Sequence, residues 1–200
     1  MARLADPDLA TRRRQQILEA AETCFRRRGF HQATMQEICA EARISPGALY
    51  RYFGSKADII AAISEFKHRE GEEEFIRVFE TASFSQALEA VFLRMLEKAQ
   101  NEELGAIFAD IMGEAMRDPV LARRLAEIDA HSTSRLAEAV QAAQMNGEID
   151  KSLDPDEAAD TLCAFMEGLS WRRMKRQDGD ADTLVRQFRA FTQRYLAPAR

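Results

Sequence analysis

The side chains best suited to chemistry lie between Thr34 and Lys56. Ser45, Pro46, Gly47 and Ala48 set small residues in a row, and Tyr50, Arg51 and Tyr52 follow closely. Small residues at a helix start let its backbone approach another surface, and the free N–H groups there attract phosphate. Tyrosine hydroxyls donate to phosphate oxygens, while an arginine fork matches the guanine edge in a major groove. Lys56 is placed for a phosphate of the flanking backbone. Thr34 and Arg43 complete the set of candidate DNA-contacting residues. The chemistry offered is recognition of a polyanion.

Local signals dictate how these residues are held. Thr34 followed three positions later by Glu37 is a capping box, so a helix starts at Met35, with Ile38 and Ala42 on one face. Arg43-Ile44-Ser45 is a three-residue break. Ser45 is a good N-cap and Pro46 suits the first helical position, having no N–H to leave unpaired. The next helix runs from Pro46 to about Tyr52 before Gly54 stops it, and Ser55 with Asp58 starts another. Leu49 and Phe53, four apart, turn inward with Ile38, Ile44 and Phe30, which leaves Gly47, Ala48, Tyr50, Arg51 and Tyr52 outside. Two short helices joined by a tight turn have the proportions of a helix-turn-helix. A helical hairpin cap without a nucleic-acid role is the competing reading; burial alone does not explain so polar and small-led a second helix. The Arg12-Arg13-Arg14 run reads as a solvated helix end, with phosphate contact as the alternative.

Elsewhere helical spacing recurs, with no alternating strand pattern. A first helix covers about Leu9–Arg28, with Ile17, Ala21, Cys24 and Phe25 on one face and Gly29 closing it. After the two short helices come segments near Lys56–Phe79, Gln86–Gln100 and Glu103–Arg117. Asp118-Pro119 opens a helix to Met145, and Asp154-Pro155 opens one to Lys175. The polar stretch Gln177-Asp178-Gly179-Asp180 breaks that helix, and a last one covers Ala181–Leu196. The expected fold is all-α with nine helices. The body carries wide apolar stripes, for example Leu88, Val91, Phe92, Met95, Leu96 and Ala99, and such stripes suit an ordinary core as well as a pocket.

Charge and composition bound the function. Residues 1–60 hold ten Arg/Lys against seven Asp/Glu, a balance of +3, whereas residues 61–200 hold eighteen against twenty-six, a balance of −8. A basic head on an acidic body means that the head is the part suited to a polyanion, and it disfavours anionic membranes. No apolar run reaches the roughly 18 residues of a membrane span, and the N-terminus lacks the apolar stretch of a secretory signal, so the cytoplasm is the expected address. Cys24, Cys39 and Cys163 are widely spaced and read as reduced core thiols. The three histidines sit apart, and no phosphate loop, paired cysteines or HExxH motif accompanies them. No catalytic residue, metal site or cofactor is expected; Glu72-Glu73-Glu74 reads as a solvated helix face.

The arrangement Thr34…Glu37-Ile38…Ala42…Ile44-Ser45-Pro46-Gly47-Ala48-Leu49-Tyr50-Arg51-Tyr52-Phe53…Ser55-Lys56 resembles the DNA-binding signature of the tetracycline-repressor (TetR) family. Ile17…Ala20-Ala21…Phe25…Gly29-Phe30 also fits that family's first helix. Arg43 departs from it, since glycine is usual in the turn. The resemblance implies a three-helix DNA-binding head over residues 1–55 and an effector-binding and dimerisation body over residues 56–200. It implies a pocket among helices four to seven and a four-helix bundle formed by the last two helices of two subunits. A repressor that leaves a palindromic DNA operator on binding a small-molecule effector is the implied function.

Pliant thioethers and large rings line adaptable apolar cavities, which makes Phe66, Phe92, Met95, Phe108, Met112, His131, Phe165, Glu167 and Trp171 the candidate ligand-binding residues. For a homodimer interface the candidates are Leu162, Met166, Leu184, Phe188, Phe191 and Tyr195. So much aromatic surface on a terminal helix calls for a partner, although some of it must pack on its own subunit.

Overall fold

The computed structural model describes residues 7–175 and 180–197, which form helices and the turns between them. Nine helices lie among the described residues: α1 (Pro7–Gln32), α2 (Met35–Glu41), α3 (Pro46–Tyr50), α4 (Lys56–Thr81), α5 (Phe84–Gln100), α6 (Glu102–Ala115), α7 (Pro119–Met145), α8 (Pro155–Lys175) and α9 (Ala181–Tyr195). The all-α expectation holds. Of the polar break expected at 177–180, only Asp180 is a described residue, and it caps α9 by accepting from Asp182 N.

Helix ends follow their capping chemistry. Gly29 breaks α1 with φ 75° and ψ 160°, a left-handed φ suited to glycine, before the chain re-enters helix up to Gln32. α3 is shorter than its spacing predicts, because Tyr52 N and Phe53 N both donate to Leu49 O and tighten the end into a turn. α5 begins at Phe84, two residues before the predicted Gln86. A capping box joins Ser83 to Gln86, and Glu148 accepts from the Phe84 N–H at 2.8 Å.

The chain forms two compact units. The first comprises Met1–Lys67 with Ala106–Leu125, and so extends past residue 55. Its core holds Ile17, Phe25, Ile38, Leu49, Ile59 and Ile60, each about fully buried. Burial of a side chain of that size stabilises by roughly 1.5–3 kcal/mol. Polar ties bring residues 106–125 into this unit: Asp110 accepts from Phe30 N at 2.9 Å, and Arg124 pairs with Asp58 and Glu65.

The second unit comprises His68–Gly105 and Ala126–Arg200. Here the core is built from α5, α7, α8 and α9 around Leu88, Phe92, Val140, Leu162 and Phe188. Phe92 stacks on Phe188 with ring centroids 4.3 Å apart. The buried Gln144 donates to the Asp150 and Leu153 carbonyls, which fixes the turn between α7 and α8. Among the described residues no helix is long and apolar enough to cross a membrane.

Cys24 and Cys39 are buried and Cys163 half-buried, all as free thiols. Burial raises the pKa of each.

Candidate nucleic-acid interface

α2 and α3 are held by short-range chemistry. Thr34 Oγ1 accepts from Glu37 N at 3.2 Å, and the Glu37 carboxylate accepts from Thr34 N at 2.9 Å, a complete capping box. That backbone hydrogen bond, with help from Thr34 Oγ1 and Arg28, lowers the Glu37 pKa. Arg43 then turns the chain. Its N–H donates to Ala40 O while Ile44 N donates to Cys39 O, the paired bonds of a Schellman motif. Arg43 has φ 51°, left-handed backbone in which glycine is the usual residue. Gln16 of α1 secures the turn by donating to Ala42 O at 2.7 Å.

α3 follows from its cap. Ser45 Oγ accepts from Ala48 N at 3.3 Å and Pro46 occupies the first position. One face anchors the helix, since Leu49 is 0 % exposed and Phe53, just beyond, is buried too. The other face is bare: Ser45, Pro46, Gly47, Tyr50 and Arg51 are exposed, with Tyr50 at 56 %. A Cβ added at Gly47 would meet nothing within 4 Å, so packing inside the chain does not require glycine there. Ala48 and Tyr52 are half-buried, and the Arg51 guanidinium lies 5.6 Å from the Tyr52 ring centroid.

The surrounding cations divide into two groups. Arg26, Arg27, Arg28 and Lys67 form ion pairs with Glu22, Glu41, Glu37 and Glu22 respectively. Arg43 and Arg51 are exposed and form no ion pair among the described residues. Arg14, from the basic run on α1, packs its guanidinium 4.6 Å from the Phe53 ring centroid, and Arg13 donates to Gln16.

Lys56 departs from the expected outward phosphate contact. Its ammonium donates to Phe30 O at 2.7 Å and His31 O at 3.1 Å and lies 4.7 Å from the Phe30 ring centroid. It thereby satisfies two carbonyls of the last turn of α1, where a helix end leaves such groups without helical partners. Sequence reading missed Gln16 and Asp110 as well, because each acts on a partner 26 or 80 residues away.

The expected ligand-binding residues are not brought together in one unit. Phe66, Phe108 and Met112 belong to the first unit, and Phe92, Met95, His131, Phe165, Glu167 and Trp171 to the second. Phe92 belongs to the buried core of its unit. Phe66, Met95, Met112, Phe165 and Trp171 are half-buried, whereas Phe108, His131 and Glu167 are exposed. His131 points its Nε2 at Glu72 Oε1, 3.1 Å away, beside His68.

Half of the expected dimer residues are also committed elsewhere. Leu162, Met166 and Phe188 are 0 %, 4 % and 1 % exposed within the single chain, so they build its own core and are not available to a partner. Leu184, Phe191 and Tyr195 remain half-buried against that core. The outward positions of α8 include Thr161, Ala164, Glu167 and Gly168, and those of α9 include Gln187, Ala190 and Gln193.

A capped helix pair with an anchored but bare second member is the DNA-reading unit of bacterial regulators, and comparison with known proteins agrees. Residues 17–63 match the family described as bacterial regulatory proteins, tetR family. Residues 84–197 match the C-terminal region of the BetI-type transcriptional repressors. The chain belongs to the TetR family of transcriptional regulators, which are DNA-binding transcription factors and not enzymes.

Among its relatives, the HTH-type transcriptional regulator UidR of Escherichia coli strain K12 is 32% identical over 141 residues, 70% of this chain and 71% of UidR. The structure of GusR from Salmonella enterica superposes with a TM-score of 0.76 at 26% identity, covering 96% of this chain and 98% of that one. FadR of Bacillus subtilis, solved in complex with stearoyl-CoA, shares the fold with a TM-score of 0.72 at 20% identity, covering 88% and 96% of the two chains.

Proposed function

We propose that this regulator is a homodimeric repressor of the cytoplasm that leaves a palindromic operator when a small apolar or amphipathic effector binds. Residues 1–55 form the reading head, and residues 56–200 bind the effector and the second subunit. The observation that carries the reading is the bare face of α3, anchored from behind by the fully buried Leu49.

In this reading a dimer offers two α3 helices to successive major grooves about 34–36 Å apart. Gly47 and Ala48 allow close approach of the backbone, while Thr34, Ser45, Tyr50, Tyr52 and Arg43 contact phosphates. Arg51 reads a base edge. The half-buried rings and thioethers of residues 56–200 receive the effector, and the stearoyl-CoA complex of FadR supports an amphipathic ligand for this fold. α4 runs as one helix from Lys56 to Thr81, with its first turns in the first unit and its last turns in the second, so it is the element suited to carry effector binding to the head.

The test begins with selection of genomic fragments by the purified chain, followed by gel shifts in competitor DNA at rising salt. A sequence-dependent complex that outlasts non-specific binding is expected. Arg51→Ala relaxes discrimination by about 1–3 kcal/mol at one base position. Unchanged base preference in that variant removes Arg51 from readout, and the absence of any selected sequence refutes the operator reading.

A further inference from the structure

His68 and Glu72 stand four residues apart on α4, a spacing that places both on one face of the helix. His131 reaches the same spot from α7, within the same unit. One ligand-capable atom from each of the three lies within 4.8 Å of the other two. Two imidazoles and a carboxylate converging from two rigid helices form a donor set that divalent transition metals favour.

We propose that His68, Glu72 and His131 form a binding site for a divalent transition-metal ion of the zinc class, with a fourth coordination position open. Two atoms each bound about 2.0–2.1 Å from zinc at the tetrahedral angle stand about 3.3 Å apart. His131 Nε2 and Glu72 Oε1 are 3.1 Å apart, already close to that spacing. His68 has only to close a gap of at most 4.8 Å by side-chain rotation.

The environment favours this reading over a simple histidine–carboxylate hydrogen bond. Ser132 Oγ engages His68 Nδ1 at 3.2 Å, which leaves the other ring nitrogen for a metal. That nitrogen, Nε2, is buried and has no hydrogen-bond partner. A buried polar atom without a partner is costly, and coordination removes the penalty. The hydroxyl on the opposite nitrogen is the outer-shell support that metal-binding imidazoles characteristically have. Arg135 lies 3.8 Å from Glu72 Oε1 and competes for it, but Arg135 also pairs with Glu138 and can release the carboxylate. On binding, the ion takes the place of the hydrogen bond between His131 Nε2 and Glu72 Oε1, and the neutral imidazole carries its one N–H on Nδ1.

The full-length chain, stripped with chelator, is titrated with Co2+ and then with Zn2+, in the absence of DNA. The outcome is therefore independent of the operator reading. A single Co2+ per chain is expected, with the ligand-field absorption of a low-coordinate site that Zn2+ abolishes, and a metal-dependent rise in melting temperature. Glu72→Gln and His131→Gln preserve size and hydrogen-bonding capacity, and each weakens binding by at least about 10-fold. His31→Gln, in the head, leaves binding unchanged. The site is refuted if the wild-type chain shows no such absorption at millimolar Co2+. It is refuted equally if either the Glu72 or the His131 variant, folded by circular dichroism, binds as tightly as wild type.

Discussion

The charge of Lys56 is spent on the protein rather than turned outward. Its ammonium bonds two carbonyls at the end of α1 and sits against the face of Phe30, so it joins the start of α4 to the first helix. A charge-assisted bond contributes about 1.5–3 kcal/mol, and partial exposure reduces that figure. Lys56→Ala is therefore expected to destabilise the chain by about 1–2 kcal/mol in urea unfolding. DNA binding should weaken for every sequence alike, because the head is less well held. A variant of undiminished stability with weakened binding would return Lys56 to the phosphate-contacting role its position suggests. In the sequence Lys56 reads as a phosphate contact because it stands at the start of the helix that follows the helix-turn-helix. The carbonyls that claim it lie 25 and 26 residues away, beyond any local pattern.

At the scale of elements, two helices end with the same device and different residues. α2 ends in a Schellman motif with Arg43 at φ 51°, and α7 ends in one with Gly147 at φ 76°. Left-handed backbone costs an ordinary residue roughly 1–2 kcal/mol, a cost that glycine avoids. Arg43→Gly is expected to raise the stability of the chain by about 1 kcal/mol in denaturant, and the same change should lower the salt slope of DNA binding by about one unit if Arg43 meets a phosphate. A loss of stability would mean that the guanidinium supports the head. Capping chemistry of this kind is legible in a sequence, because Thr34 with Glu37 and Ser45 with Pro46 act within four residues of each other. The true start of α5 was less so. Its local signal, Ser83 with Gln86, is reinforced by Glu148 from 64 residues on. Asp110, which accepts from Phe30 N, has no local signal at all.

For the whole molecule, apolar spacing on α8 and α9 shows which faces avoid water without showing what covers them. Leu162, Met166 and Phe188 prove to be core of one chain, which moves any subunit contact to the outward positions of the same helices. Ala164 and Gly168 are exposed there, and a side chain at Gly168 would meet nothing within 4 Å inside the chain. Small residues on that surface suit close packing of a second copy. Ala164→Arg is expected to leave the helical content and the single-chain core intact, to shift the protein to monomers in sedimentation velocity, and to reduce operator affinity with them. If the variant remains dimeric, the bundle uses another surface. The same limit holds for the candidate ligand residues: periodicity does not distinguish a ring or thioether that fills a core from one that lines a chamber.

Gly47 shows that folding and recognition favour different residues at one position. Glycine loses more backbone freedom on folding than alanine, by up to about 0.5–1 kcal/mol in mid-helix and less in the first turn where Gly47 stands. Nothing in the chain obstructs a methyl group at this site. A randomised library sieved only for resistance to protease should therefore discard glycine at position 47 in favour of alanine. The same library sieved for retention on operator DNA should keep glycine. Agreement between the two harvests would mean that no partner comes near enough to notice the missing carbon.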